Sequence, residues 1–176
     1  MTPATYSIKE RLRDGRPVQI RALQPDDQGG MLDAIDRASV ESLRRRFFVP
    51  KRSFSEKEQD FFMHLDFVNH VALVAQVDED GRAAIVGGGR YVVVEPGQAE
   101  LAFVVIDAYQ GQGIGTMLMR HLLVIARKAG LNELTAEVLA ENAAMLGVFK
   151  RFGFRVASHG DPGVRHLTLK LRETAA

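Results

Sequence analysis

The hydrophobic and polar positions along the chain change period several times, and each change predicts a secondary-structure element. Alternating or continuous apolar stretches indicate strands. Strand character is found in residues 17–22, 71–77, 83–94, 100–106, 134–139, 154–157 and 164–171. Turn signals at residues 78–81 and 95–98 join three of these stretches into consecutive hairpins. The middle of the chain is therefore expected to form an antiparallel sheet.

Apolar residues at helical spacing predict helices between the strands. Asp26 or Asp27 is a candidate N-cap for the first helix, and Ser55 with Glu58 resembles a capping box for a later one. The first predicted helix follows this cap, and further helices are predicted over residues 39–48, 53–65, 117–128 and 142–152. Hairpins followed by helical crossovers indicate a mixed sheet. The expected fold class is therefore α+β, a mixed α/β arrangement.

Two short runs each allow a functional and a structural interpretation. The glycine triplet 87–89 is either a second ligand loop or a β-bulge with a close backbone approach, and its place inside a strand favours the second. The arginine triplet 44–46 is either an anion or nucleic-acid patch or the solvated end of a helix. Nothing else in the chain supports nucleic acid, so the second interpretation is preferred.

A glycine-rich stretch, residues 109–116, joins a predicted strand to a predicted helix. Gly111, Gly113 and Gly115 leave little side chain above the backbone. Free N–H groups in such a loop and the positive end of the following helix form a phosphate-binding device. A P-loop is not indicated, because Thr116 follows Gly115 directly without the lysine that it requires. A dinucleotide fingerprint is not indicated, because the loop follows three antiparallel strands.

Length, charge and composition narrow the class of protein. A length of 176 residues suggests one domain. The net charge of +1 gives no indication of binding to nucleic acid or to an anionic membrane. The absence of cysteine excludes disulfides, thiolate metal sites and a cysteine nucleophile. No metal site is expected, because none of the histidines has a metal-ligand spacing: His64, His70, His121, His159 and His166. Of these, His166 on a late strand is the one singled out for substrate contact.

The N-terminal residues 1–16 are polar and carry charges of both signs. They are no signal peptide, and no apolar run in the chain is long enough to span a bilayer. We therefore expect an N-terminal extension over residues 1–16, a single domain over residues 17–176, and a cytoplasmic enzyme or binding module.

The glycine-rich stretch resembles the pyrophosphate loop of the GNAT acetyltransferases. Their motif, Gln/Arg-x-x-Gly-x-Gly/Ala, is matched by Gln110, Gly113 and Gly115, and the resemblance extends from residue 17 to residue 171. It includes Asn142 and the run 149–154, similar to the family's Asn…Tyr-x-x-x-Gly-Phe. The front half, residues 17–27, 42–48, 65–66 and 71–74, is similar to the acetyltransferase domain of bacterial Pat-type protein lysine acetyltransferases.

This resemblance implies a fold and a co-substrate. The fold is a mostly antiparallel, mixed seven-stranded sheet flanked by helices, with its central strands splayed at the CoA site. The co-substrate is acetyl-CoA, without a metal. Its pantetheine arm would pair with the backbone around residues 103–105, where an N–H near Val104 or Val105 would hold the developing oxyanion. The implied cofactor-binding residues are Phe103, Val104, Val105, Gln110, Gly111, Gln112, Gly113, Ile114, Gly115, Thr116 and Asn142.

Three side chains allow a prediction about the chemistry. Glu100, at the start of the strand before the loop, is the candidate general base, since the resembled Pat-type enzymes place their catalytic glutamate there. Its alternative is a solvated glutamate beside a turn. Phe149 stands where many GNAT enzymes have a tyrosine that protonates the departing thiolate, so we expect packing there and assign no general acid. Asn142 is expected to contact the cofactor, cap the following helix, or both.

The leading hypothesis is therefore an acetyl-CoA-dependent N-acetyltransferase that modifies protein lysine, with acyl-CoA synthetases as the acceptors implied by the resemblance. A small-molecule amine acetyltransferase and a non-catalytic acyl-CoA-sensing module are the alternatives. The expected partners are a protein with a reactive lysine or a small-molecule amine, not nucleic acid or a membrane. A homodimer is compatible with the sequence.

Overall fold

The structure, a computed structural model, describes residues 1–38, 55–157 and 162–172. The helix predicted over residues 39–48, which includes the arginine triplet 44–46, lies outside the described residues, as does His159. The described chain forms one sheet with helices packed on both of its faces.

The sheet contains eight strands in the described chain, one more than expected. They are β1 (Ser7–Arg11), β2 (Pro17–Ala22), β3 (His70–Glu79), β4 (Arg82–Glu95), β5 (Gln98–Val105), β6 (Glu133–Leu139), β7 (Arg155–Val156) and β8 (Val164–Lys170). Their spatial order is β1-β2-β3-β4-β5-β6-β8-β7. Neighbours are antiparallel except for β5 and β6, which are parallel. The prediction of a mixed, mostly antiparallel sheet is therefore confirmed.

The additional strand, β1, comes from the segment that the sequence pattern left before the domain. It pairs with β2 from Ser7 opposite Arg21 to Arg11 opposite Pro17. Its side chains alternate only between exposed and half-buried, so its hydrophobic signal is weak. Such polar edge strands are common, because charged side chains there discourage pairing with other chains.

Four helices accompany the sheet in the described residues: α1 (Gln28–Arg37), α2 (Glu56–Met63), α3 (Ile114–Lys128) and α4 (Ala143–Arg151). The predicted capping box of α2 is confirmed, since the N–H of Glu58 donates to the Ser55 hydroxyl at 3.2 Å. The prediction that Asp26 or Asp27 caps α1 is only half right. Asp27 occupies the N-cap position, but its carboxylate makes no bond to the helix and instead accepts two 2.8 Å bonds from Arg21.

The larger core lies between the sheet and α3 with α4. Leu118, Met119 and Leu122 of α3 have no exposed surface, and burial of each such side chain stabilises the fold by about 1.5–3 kcal/mol. On the opposite face, a smaller cluster of Leu23, Ala72, Val74 and Ile85 packs under α1 and α2. The two helix pairs therefore cover opposite faces of the sheet.

The glycine triplet of β4 lies at a bulge and at a close approach, as predicted. Opposite β3, the register shifts because Val86 is an extra residue between Ile85 and Gly87. A Cβ atom on Gly89 would lie 2.7 Å from the Phe103 ring. The triplet thus lets β4 lie close to β5 and α3, and it belongs to a paired strand instead of a loop.

Candidate active site

The glycine loop occupies the turn between β5 and α3, as the sequence indicates. Gly111 and Gly113 have φ values of 79° and 90°, a backbone conformation that side chains disfavour. Gly113 is the N-cap of α3, and its carbonyl accepts from the N–H of Met117 at 3.0 Å. The N–H groups of the first turn have no partner within the helix, so they can bind an anion there.

A hairpin from the opposite end of the chain supports this loop. The N–H of Arg13 donates to the Gln112 carbonyl, and its guanidinium donates to the Gly111 carbonyl, each at 3.1 Å. The N–H of Asp14 donates to the Gln112 side chain at 3.2 Å. The β1–β2 turn therefore holds the loop by both main-chain and side-chain bonds.

The short turn before the loop is anchored by Tyr109. Its hydroxyl donates to Glu79 at 2.7 Å, and Glu79 also accepts two bonds from Arg37 at the end of α1. The guanidinium of Arg16 lies 5.0 Å from the centre of the ring. Burial and the bond to Glu79 raise the pKa of Tyr109. The phenol therefore stays neutral and positions the loop.

Strands β5 and β6 pair at one end and separate at the other. Their parallel register runs from Gln98 opposite Glu133 to Leu101 opposite Ala136 and then stops. Both strands continue, to Val105 and to Leu139 respectively. The splay predicted for the central strands is therefore present, with a slot of unpaired backbone edge between them.

The backbone groups of two residues of β5 point into the slot. The Val104 carbonyl points at β4, where it lies 3.3 Å from the Cβ position of Gly87. Backbone groups alternate sides along a strand, so the N–H and C=O groups of Phe103 and Val105 face the slot. The side-chain amide of Gln110 donates to the Val105 carbonyl at 3.2 Å, which confirms this direction.

A cleft of about 280 Å³ connects the slot with the glycine loop. It is bordered by nearly all of the predicted cofactor-binding residues, namely Phe103, Val104, Val105, Gln110, Gly111, Gly113, Ile114, Gly115, Thr116 and Asn142. Gln112 is the exception, since it borders the neighbouring cavity beside β1. The structure thus brings together residues from β5, the loop, α3 and the start of α4.

The side chain of Glu100 is exposed on β5, between the buried residues Ala99 and Leu101. It lies opposite Val92 of β4 and Thr135 of β6, just before the pairing of β5 with β6 ends. Alternation places it on the same face as Ala102. The carboxylate therefore stands at the entrance of the slot, on the face that α1 and α2 partly cover.

Asn142 and Phe149 belong to α4 and its cap. The Asn142 side chain accepts from the N–H of Met145 at 3.2 Å, so its capping role is confirmed, and it also borders the cleft. Phe149 is 2% exposed and makes edge contacts with Phe103 and Phe154. The packing role expected for Phe149 is confirmed.

The structure adds residues that sequence reasoning missed. Arg13 and Arg151 both border the cleft. Glu137 borders the slot from β6, and His166 on β8 lies opposite it, with Nδ1 3.3 Å from Oε1 of the carboxylate. His166 was singled out by its strand position alone, whereas its partner Glu137 carried no signal, because cross-strand pairing is not visible in one sequence.

Two features are not found in the described part of the chain. No group of three or more His, Cys, Asp or Glu residues within it could hold a metal ion. None of its helices is long and apolar enough to cross a membrane.

Comparison with protein families assigns the chain to a family. Residues 37–154 match the model of the acetyltransferase (GNAT) family. An acetyltransferase of Pseudomonas aeruginosa is 37% identical over 82% of this chain and 78% of its own length. The acetyltransferase Pat of Mycolicibacterium smegmatis is 32% identical over 83% of this chain, which spans only 44% of that longer protein.

Solved structures confirm the fold. The GNAT domain of S. lividans PAT has a TM-score of 0.85 and 32% identity, and the match covers 94% of this chain and 97% of that domain. A Salmonella typhimurium protein solved with its cofactor acetyl-CoA has a TM-score of 0.72 and covers 90% of this chain and 96% of its own, at 20% identity. At that identity the second likeness bears on the fold alone.

Proposed function

The chain belongs to the GNAT family of acetyltransferases, and we propose that it transfers acetyl from acetyl-CoA directly to the ε-amine of a protein lysine. The observation that carries the proposal is the splay of β5 and β6 after Leu101 and Ala136, which opens onto the glycine loop. An extended arm can pair with an exposed strand edge, while a pyrophosphate binds at the adjoining helix N-terminus.

The residues of the cleft fit acetyl-CoA. The loop around Gly113 and the first turn of α3 offer N–H groups to the pyrophosphate, and Arg13 and Arg151 add positive charge. The free edges of Phe103 and Val105 can pair with the amides of the pantetheine arm. Bound acetyl-CoA would supply the activated thioester, and the Val105 N–H would polarise its carbonyl.

Glu100 is the proposed general base. The amine nitrogen forms a bond to the acetyl carbon, the carbon–sulfur bond breaks, and the electron pair leaves on the CoA thiolate. The proton of the amine passes to the carboxylate of Glu100. Lysine amines have a pKa of about 10.4, so a base at this position is worth about 10²–10⁴-fold in rate.

The acceptor is proposed from two observations. Glu100 and Glu137 carry negative charge on the two strands that border the slot, which suits a cationic amine. The similarity to the GNAT domain of S. lividans PAT and to Pat of Mycolicibacterium smegmatis favours protein lysine. Acyl-CoA synthetases are the class of acceptor that the resemblance to Pat-type enzymes implies, and a cytoplasmic location is the compartment proposed with them.

A labelling experiment tests the acceptor class. Purified protein is incubated with acetyl-labelled acetyl-CoA and a bacterial cell extract, and label is counted in the protein fraction and in the small-molecule fraction. We expect label in lysines of specific proteins. The Glu100→Gln variant serves as the control, because acetylation that does not need the enzyme would be the same with both proteins.

Each other outcome selects a different function. Label that accumulates only in small amines would overturn protein lysine as the acceptor and favour the small-molecule alternative. Binding of acetyl-CoA by calorimetry, without transfer, hydrolysis or autoacetylation, would favour an acyl-CoA sensor. Absence of acetyl-CoA binding would overturn the proposal as a whole.

A further inference from the structure

A second cavity lies beside the cofactor cleft, between β1 and the first half of α3. Its volume is about 480 Å³. Five cationic side chains border it, namely Lys9, Arg11, Arg13, Arg120 and Arg151. The one carboxylate among its lining residues is Glu10. We call this space the basic cavity.

Most of the positive charge in the basic cavity is not neutralised. Glu10 forms an ion pair with Arg120. Arg11 and Arg13 each donate to a backbone carbonyl, which leaves their charge in place. Within residues 1–38, 55–157 and 162–172, no carboxylate pairs with Lys9 or Arg151. The cavity is therefore suited to a ligand of more than one negative charge.

The basic cavity is continuous with the cofactor cleft. Arg13, Gly113, Thr116 and Arg151 border both spaces. The glycine loop and the N-terminus of α3 lie between them. A molecule whose pyrophosphate binds at this loop can therefore reach the basic cavity with a further charged group.

The orientation of Arg120 is set before any ligand binds. Glu10 holds its guanidinium, and the other carboxylate oxygen of Glu10 lies 3.3 Å from Nε2 of the buried His121. Since Glu10 belongs to β1 and Arg120 to α3, this contact also joins the two elements that border the cavity. A side chain that is already ordered loses less conformational freedom when it binds a ligand.

We propose that the basic cavity binds the 3′-phosphate of the CoA ribose and makes the protein discriminate CoA from 3′-dephospho-CoA. The inference rests on the proposed function, because it assumes that CoA pyrophosphate binds at the glycine loop. A phosphate monoester carries a charge of about −1.5 to −2 at neutral pH and three strong acceptor oxygens. Backbone N–H groups suit the pyrophosphate, whereas the phosphate monoester, which concentrates its charge on one phosphorus, matches the arginine and lysine side chains of the cavity.

Calorimetric titration with CoA and with 3′-dephospho-CoA tests the proposal without an acceptor substrate. The wild-type protein is expected to bind CoA at least about tenfold more tightly than 3′-dephospho-CoA, the effect of one lost charge-assisted contact. The Lys9→Gln/Arg120→Gln variant should weaken CoA binding and leave 3′-dephospho-CoA binding unchanged. The matched control, Lys128→Gln/Lys170→Gln, removes the same charge from exposed positions outside the cavity and should keep the wild-type ratio.

A single variant and a competition experiment complete the test. Lys9→Gln alone changes an exposed side chain of β1, so it reports on the cavity even if removal of Arg120 prevents folding. Inorganic phosphate should compete with CoA more strongly than with 3′-dephospho-CoA. If phosphate binds alongside CoA without competition, the cavity serves a separate anion and the proposal is wrong.

The outcomes also separate this inference from the function on which it rests. Equal affinity of the wild-type protein for the two ligands would overturn the role of the basic cavity while the acetyltransferase proposal stands. Failure of both ligands to bind would contradict the acetyltransferase proposal itself.

Discussion

At the scale of single residues, the roles proposed from the sequence concern Glu100, Phe149 and Asn142. Glu100 is exposed, yet it stands at the end of the paired part of β5 and β6, where the slot opens. Phe149 is buried against aromatic neighbours and has no hydroxyl group, so it takes no part in proton transfer. Asn142 caps α4 and borders the cleft at once, which means that a substitution there would disturb both.

Replacement of Glu100 by glutamine is expected to reduce turnover at least about tenfold at neutral pH, because the amide cannot accept the amine proton. Affinity for acetyl-CoA should not change, since the side chain lies outside the cofactor cleft. Release of the CoA thiol, measured with the acceptor fraction from the labelling experiment, gives the rate. Glu95→Gln, an exposed glutamate at the end of β4, is the matched control. Near-normal turnover of Glu100→Gln would remove the residue from this role.

At the scale of elements, β4 explains how the slot is supported. Its glycines allow β5 and α3 to come close, and the ring of Phe103 occupies the space that a side chain on Gly89 would need. Phe103 in turn borders the cofactor cleft and contacts α4. The position of β5 therefore depends on small residues in the neighbouring strand.

The substitution Gly89→Ala is expected to destabilise the protein by about 1–3 kcal/mol, the usual cost of overpacking a core. The added Cβ atom would lie 2.7 Å from Phe103 and 3.1 Å from Leu122, so the ring or the strand must shift. Affinity for acetyl-CoA should fall as well. Chemical denaturation and calorimetry measure the two effects.

The adjacent glycine provides the control for this prediction. A Cβ atom on Gly88 would lie 3.5 Å from the Leu73 carbonyl, an ordinary contact. Gly88→Ala should therefore retain most of the stability and affinity. Equal losses in the two variants would contradict a specific conflict with Phe103.

At the scale of the whole molecule, buried polar contacts join the layers that the hydrophobic clusters build. Arg21 of β2 donates to Asp27 before α1 and to the Gln76 side chain of β3. The side chains of Arg21 and Asp27 are 17% and 11% exposed, so this ion pair is shielded from solvent. It links two strands to the start of the first helix.

The ion pair predicts how stability depends on pH. Burial raises the pKa of Asp27, but hydrogen bonds from Arg21 and from the Gln24 N–H outweigh it and leave this pKa below its usual value. A carboxyl whose pKa is lowered by folding contributes stability above its unfolded pKa of about 3.9, and this contribution is lost as the pH falls below that value.

Asp27→Asn should therefore cost about 1–3 kcal/mol in the free energy of unfolding at neutral pH, and the difference from the wild type should shrink below about pH 4. Urea denaturation at several pH values measures it. Asp26→Asn, at the exposed neighbouring carboxylate, should change stability little at any pH. A deficit of Asp27→Asn that is the same at pH 3 and at pH 7 would contradict the role of the ionised pair.

The sequence by itself determined the order of the strands from β2 onward, the glycine loop and most of the residues that border the cleft. These features are local, because the hydrophobic periodicity of a strand or a helix depends on residues close together in the chain. Gly111 and Gly113 likewise have positive φ values that few residues other than glycine adopt. The capping box at Ser55 was predictable for the same reason, because its partners are three residues apart.

Only the tertiary structure decided which distant groups meet. The sequence analysis missed strand β1, because a polar edge strand shows little hydrophobic alternation. The contact of Arg13 with the glycine loop and the basic cavity beside β1 could therefore not be predicted either. The choice of Phe103 and Val105 over Val104 depends on which edge of β5 is unpaired. Pairing between strands brings together residues that are far apart in the chain, and a single sequence does not show which residues pair.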